Sequence, residues 1–253
     1  MEFAMEKREI GGVGLHYALA DEQAADLIAE AIRRSIDLIT RTWGVPVPED
    51  CRVYVMTSWM RFMFDAAPWH WRVLLAATIP IWHLRVRRMW PYAGGWAQRF
   101  GRRRAVGVKP PDLLQKANTS IGVRVFAHVD DPSVRVGHIT CHELTHAFTA
   151  HLRLPAWLNE GLAMVTVDHY AGADTVRRET LEVLRSDGYA QRPRGYRRLS
   201  VRDPGSLIYH TTRGYWITRF LAETNPDLLP ELLRRRQGRA LDRAIEHALG
   251  LGH

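Results

Sequence analysis

Apolar positions recur at helical spacing over residues 21–43, "DEQAADLIAEAIRRSIDLITRTW", where Leu27, Ile28, Ala31, Ile32, Ser35, Leu38 and Ile39 share one face. The spacing predicts an amphipathic helix with Asp21 as its N-cap, stopped by Gly44 and Pro46. The next stretch, "CRVYVMT" (51–57), alternates and is β-branched, so it reads as a strand. "AVGVKPPD" (105–112) and "SIGVRVFAHVDD" (120–131) read as two more. Beyond them the pattern is helical almost throughout. One helix opens near Val134 and another starts at Ala156 or Trp157 after "LRLP". Further helical pieces cover 174–187, 205–223, 226–237 and 239–249. The expected fold class is α+β, with a mixed α/β lobe and a small sheet over 1–150, then a mostly helical lobe over 151–253.

Residues 59–92 stand apart. Trp59, Trp69, Trp71, Trp82 and Trp90 surround an apolar run from Val73 to Trp82, and Pro80 interrupts it. That run is far shorter than the roughly 20 residues a membrane span needs. The segment reads as a helical insertion packed on the core or lining a groove. Its aromatic and arginine flanks also suit a helix lying in a bilayer interface.

The chain has 253 residues, 46% of them hydrophobic and 25% charged, enough to bury a proper core. Its formal net charge is +8, and the basic excess is almost all arginine, with Lys7, Lys109 and Lys116 the lysines. Such a charge favours acidic substrates or anionic lipid. Helix-turn-helix, RNP and Cys/His finger spacings are absent, so no nucleic-acid partner is expected. Cys51 and Cys141 are far apart and too few for a disulfide framework; they read as buried thiols. The stretch "MEFAMEKREIGGVG" has no apolar core and does not read as a signal peptide, so a cytoplasmic location is expected.

The candidate chemistry lies in "HITCHELTHAFTAHLRLPAWLNEGLAMV", residues 138–165. His142 and His146 are four apart, which on a helix puts both imidazoles on one face. Two neutral imidazoles so placed can bind one zinc ion at about 2.0–2.1 Å. Glu143 projects beside such a metal, the position of a general base acting on metal-bound water. A catalytic zinc needs a third protein ligand. Positions 149 and 152 are Thr149 and Leu152, which excludes the metzincin pattern of Gly and His. Glu160 is the best remaining candidate, because Pro155 breaks the helix and lets the next one fold back across it. A zinc ion held there lowers the pKa of its water towards about 7 and polarises a carbonyl.

"HELTH" followed by "PAWLNEGLA" resembles the gluzincins, the thermolysin-like zinc metallopeptidases. "WLNEG" is similar to the stretch of the zinc aminopeptidases whose Glu is the third ligand. The short gap is similar to the minimal bacterial members of the peptidase MA-like group. The resemblance covers roughly residues 138–168. It implies a zincin-like fold with the active-site cleft between the two lobes, Zn2+ on His142, His146 and Glu160, and hydrolysis of a peptide or protein substrate. It also implies a Tyr or His from the C-terminal lobe as oxyanion partner. Tyr209 is the first choice, with His210 and Tyr215 as alternatives. The Asp that in that family supports a metal-bound His falls at Met164 here, leaving Asp168, one turn further on, as substitute, and Asn159 to orient the loop. The Gly-x-Met-Glu-Asn segment of the aminopeptidases is absent. The strands at 105–112 and 120–131 are candidates to hold an extended peptide. Two further readings stand beside the peptidase: a catalytically silent zinc-binding interaction protein, and a processing protease that contacts the membrane through 59–92.

Overall fold

The structure is a computed structural model and describes residues 5–116, 122–185 and 204–234. Strands β1 (Met5–Ile10) and β2 (Val13–Ala18) form an antiparallel hairpin in which Ile10 faces Val13. Its two-residue connection, Gly11 and Gly12, has φ of +56° and +86°. Hairpin turns matching strand twist need this left-handed conformation at both positions, which glycine adopts without steric cost. The sequence pattern left this hairpin unassigned, because β1 alternates weakly and is mostly charged.

Helix α1 (Glu22–Trp43) follows, then β3 (Cys51–Val55), α2 (Trp59–Ala66), α3 (Trp69–Met89), β4 (Gly95–Phe100) and β5 (Arg103–Val108). The strands form one mixed sheet in the order β1-β2-β3-β5-β4, with β3 parallel to β2 and β5, and β4 antiparallel to β5. The helices α4 (Pro111–Lys116), α5 (Gly122–Val125), α6 (Pro132–Thr149), α7 (Ala156–Ala171), α8 (Thr180–Arg185), α9 (Pro204–Thr224) and α10 (Leu228–Arg234) complete the described chain. The α+β class is as expected.

The period-2 alternation of the strands separates two cores. Val13, Leu15, Cys51, Val53, Val106 and Val108 face one side, where they meet α1, α6, α7, α9 and α10 in a single buried cluster running from Ile10 to Leu233. Tyr54, Met56, Ala105 and Phe100 face the other side, where Trp59, Phe62, Met63 and Val86 of α2 and α3 cover them. Burying each Leu, Ile or Val in these clusters contributes about 1.5–3 kcal/mol. The Trp-rich segment therefore roofs the second face of the sheet. Helix α3 runs through Pro80 without a break. Proline removes one backbone donor, and that single lost bond does not end a helix tied at both ends. At its far end, Lys109 of the β5 exit is buried, donates to the Trp90 carbonyl and sits 4.0 Å above the Trp90 ring.

Two further expectations are corrected. The described part of 120–131 is not a strand but the short helix α5, followed by one isolated bridge between Phe126 and Val176. β-branched residues favour a strand only where they pair, and the bridge from Phe126 to Val176 is the one strand contact this described segment makes. Residues 174–179 are irregular, and α8 begins at Thr180. The helix expected at 239–249 lies outside the described residues.

Candidate metal centre

Helix α6 starts at Pro132, with Asp131 as N-cap accepting from the Ser133 amide at 2.8 Å. Its buried face carries Val136, Cys141, Leu144, Ala147 and Phe148. Three threonines also face the core, their hydroxyls satisfied within the helix: Thr140 donates to Val136 O, Thr145 to Cys141 O and Thr149 to Thr145 O, at 2.7–2.9 Å. That packing fixes the rotation of α6 and turns His142, Glu143 and His146 the other way.

The chain then reverses through Leu152, Arg153 and Leu154, with Arg153 in the left-handed conformation at φ 52°. Pro155 precedes α7, which returns against α6. Two glycines set how α7 sits. A Cβ on Gly161 would lie 2.4 Å from the Gly214 carbonyl oxygen, and one on Gly214 would lie 2.3 Å from that of Trp157. The backbones of α7 and α9 therefore touch at Gly161 and Gly214, and Glu160 projects from just beside that contact.

This arrangement brings the three sequence-predicted donors together. His142 Nε2 and His146 Nε2 are 3.0 Å apart. Glu160 Oε2 lies 3.6 Å from the first and Glu160 Oε1 3.3 Å from the second. Donors about 2.0–2.2 Å from one tetrahedral ion would be separated by about 3.3–3.6 Å. The observed spacings are close to that, and the set of two imidazoles and one carboxylate fits a divalent cation. His142, His146 and Glu160 could thus hold a metal ion. Their side chains expose only 22, 12 and 21% of their surface.

The electrostatics follow from the crowding. Burial opposes the charge on Glu160, but His146 and His142 outweigh it and hold the carboxyl well below its usual range. Burial likewise opposes protonation of His146, yet Glu160 and Glu143 push that imidazole up to about 9. Glu143, unlike Glu160, is shifted up. Burial raises its pKa against the pull of both histidines and of the nearby Ala97 backbone. A Cβ at Gly95 would be 2.5 Å from Glu143 Cγ, so Glu143 packs directly against β4.

No family model, curated protein or solved structure matches the chain. What the site can do is therefore read from its own donors and surroundings.

A cavity of about 530 Å³ opens onto His142 and Glu143, walled mainly by apolar groups such as Tyr92, Leu114, Phe126 and Ile139. Tyr209, half-buried near the start of α9, is not among its lining residues. The side chain of His210 lies outside what the structure describes. Tyr215 is fully buried, and its hydroxyl donates to Asp168 Oδ2 at 2.6 Å. Asp168 Oδ1 accepts from the backbone and side chain of Thr175, at 2.8 and 2.6 Å. Arg219 donates to the Tyr215 hydroxyl at 2.8 Å and pairs with Asp174 at 2.8 Å. Asp168 thus ties α7 to α9 and to the cavity wall at Asp174 and Thr175. This network escaped sequence reasoning because its members are remote in the chain.

Asn159 lies beside His146 and favours its protonated form. Its carboxamide oxygen accepts from Thr149 Oγ1 at 3.2 Å, and by strict geometry His146 Nδ1 is left without a partner among the described residues. His138, one turn before His142, lines the cavity and meets the Tyr170 ring edge-on at 6.1 Å. Both cysteines are buried and free, and burial pushes each thiol up to about 12.

Proposed function

We propose that the protein is a zinc-dependent metallopeptidase of the gluzincin kind, with a zincin-like arrangement of lobes around its cleft. The observation that carries this reading is the convergence of His142, His146 and Glu160 beside Glu143, at the mouth of an apolar cavity. Two imidazoles and a carboxylate are a donor set suited to catalytic zinc. Bound there, zinc would supply a Lewis acid and lower the pKa of a coordinated water.

The chain's own residues then have distinct tasks. Glu143 takes a proton from the attacking water and passes it to the leaving amine. Its burial favours holding that proton between the two steps, and its packing against Gly95 of β4 limits where the side chain can sit. The outer edge of β4 aligns an extended peptide. Successive residues of an antiparallel strand point their backbone groups to opposite sides. Since the Gly94 carbonyl accepts from the Lys109 amide, the alternate residues Gly95, Ala97 and Arg99 turn their backbone groups away from β5. This role falls to β4 rather than to 105–112, because β5 is internal. Tyr209 is the proposed oxyanion partner. A zinc protein without turnover would have no use for Glu143, which favours the enzyme.

The test combines elemental analysis after exhaustive dialysis with hydrolysis of a casein substrate. About one zinc per chain is expected in the wild type, with clear loss in Glu160→Ala. Glu143→Gln should keep the metal and lose activity by about a hundredfold or more, and Tyr209→Phe should lower kcat with metal content unchanged. Wild-type protein that takes up no zinc would refute the reading. A Glu143→Gln variant as active as wild type would refute the assigned base.

A further inference from the structure

Helix α3 is apolar on two opposite sides. Trp71 and Leu75 pack against the second core and Val86 is buried within it. On the other side, Trp69 is 77%, Val73 67% and Leu74 53% exposed, and Ala76 and Ala77 are exposed with them. Positions 69, 73, 76 and 77 follow the i, i+4, i+7, i+8 spacing of a single helical stripe. His83 and Arg87, both exposed, continue the same face towards the end of the helix, and exposed Arg72 borders it. A buried core needs one apolar face from this helix; the outer stripe needs another explanation.

The charge around the stripe supplies it. From residue 66 to residue 111 the sequence contains nine cationic residues and no acidic one. Asp65, just before α3 in the chain, and Asp50, on the Arg103 side chain, are already engaged. Asp65 pairs with Arg61 at 3.4 Å, and Asp50 pairs with Arg52 and Arg103 at 2.7 and 3.0 Å. A second copy of this face would meet it cation to cation. An anionic bilayer surface offers what both parts lack: lipid phosphates for the arginines and an acyl boundary for tryptophan, valine and leucine. No helix among the described residues is long and apolar enough to cross a membrane, and a helix lying in the interface does not have to.

We propose that the outer face of α3 seats the protein on anionic lipid, with Trp69, Val73 and Leu74 entering the headgroup boundary and Arg72 and Arg87 at the phosphates. The segment after α3, through Tyr92 to Gly95, forms one wall of the cavity beside the metal centre. Lipid binding of α3 therefore holds the cavity next to the membrane and directs it to membrane-bound substrates. The docking does not depend on the metal chemistry.

The test is flotation of the full chain with phosphatidylcholine vesicles containing roughly one-third phosphatidylglycerol, against pure phosphatidylcholine. The protein should float with the anionic vesicles only, and high salt should weaken the binding. The double variant Val73→Asp, Leu74→Asp changes exposed positions and should lower the partition coefficient about tenfold or more. Its circular dichroism and zinc content should match wild type. Failure of the wild type to float would overturn the proposal, as would a variant that floats equally well. Concentration-dependent dimers abolished by the same variant, without flotation, would assign the face to a second copy and overturn it too. Zinc measured on the same samples keeps this outcome separate from that of the peptidase reading.

Discussion

Replacing Gly214 by alanine tests how the third donor is held. The added methyl would sit 2.3 Å from the Trp157 carbonyl oxygen and 3.1 Å from its carbon. Ordinary contact begins near 3.4 Å, so α7 and α9 must part by about 1 Å. Overpacking of this kind costs about 1–3 kcal/mol. Alanine returns about 1 kcal/mol through its better helix propensity. The obstacle is helix backbone, which cannot rotate aside as a side chain can, so the upper part of the range applies. The net loss is about 2 kcal/mol, and in a chain of this length each kcal/mol lowers Tm by about 2–4 °C. Trp157 is one turn before Glu160, so the same displacement moves the carboxylate off the two imidazoles. Zinc affinity should fall about tenfold or more, the effect of disturbing a support of a metal ligand. Differential scanning calorimetry with zinc competition against a chromogenic chelator reads both effects. Gly101→Ala is the control: Gly101 has φ +61° with nothing near its Cβ. Only backbone strain of about 1 kcal/mol is expected there, with metal affinity intact. A Gly214→Ala protein as stable as wild type, binding zinc equally well, would refute the close approach.

Two pH predictions follow from a buried lysine and a half-buried histidine. Burial lowers the Lys109 ammonium from 10.5 to about 8. Between those values the unfolded chain binds more protons, so stability rises with pH from about 8 to about 10.5, and the penalty is fully present below about 8. It amounts to at most roughly 3 kcal/mol. Lys109→Met should flatten that rise when urea midpoints are compared at about pH 7 and about pH 10; an unchanged slope would mean the lysine is not the source. Burial, aided by Arg52 and Lys7, likewise lowers His16 to about 4, where its ring stacks on Tyr54 at 4.8 Å. The unfolded chain again holds the extra proton, so stability falls as pH drops from about 6.5 to about 4. His16→Phe keeps the stack, and its Tm should decline less than that of wild type over this window; parallel curves would contradict the assignment.

Local chemistry decided what the sequence made legible. Helix α1 announced itself through its periodic face, and Gly44 ends it in the left-handed conformation, at φ 65°. The spacing of His142 and His146 translated directly into shared direction, because a helix repeats the same geometry wherever it forms. Glu160 needed a turn to be read as well, and Pro155 marked it. The sheet was harder. β1 and β4 are edge strands whose alternation is diluted by charge and glycine, while the described part of 120–131 carried a strand's composition yet makes only one bridge, from Phe126 to Val176. The contact of Gly161 with Gly214 and the Asp168, Tyr215 and Arg219 network join positions some 50 residues apart. No local pattern encodes such pairings.

The donors and their buttress also differ in when they become available. His142, His146 and Glu160 belong to one helical hairpin, and closing the roughly 14 residues from His146 to Glu160 costs only about 2 kcal/mol of chain entropy. As the polypeptide leaves the ribosome, this hairpin can close soon after α7 emerges, with most of the sheet already made. Gly214 arrives much later, and until α9 docks against Gly161 the contact that fixes α7 from that side is missing. The nascent chain therefore carries its metal ligands for a time without the geometry to use them well, and the site is completed only as its last supporting helix is laid down.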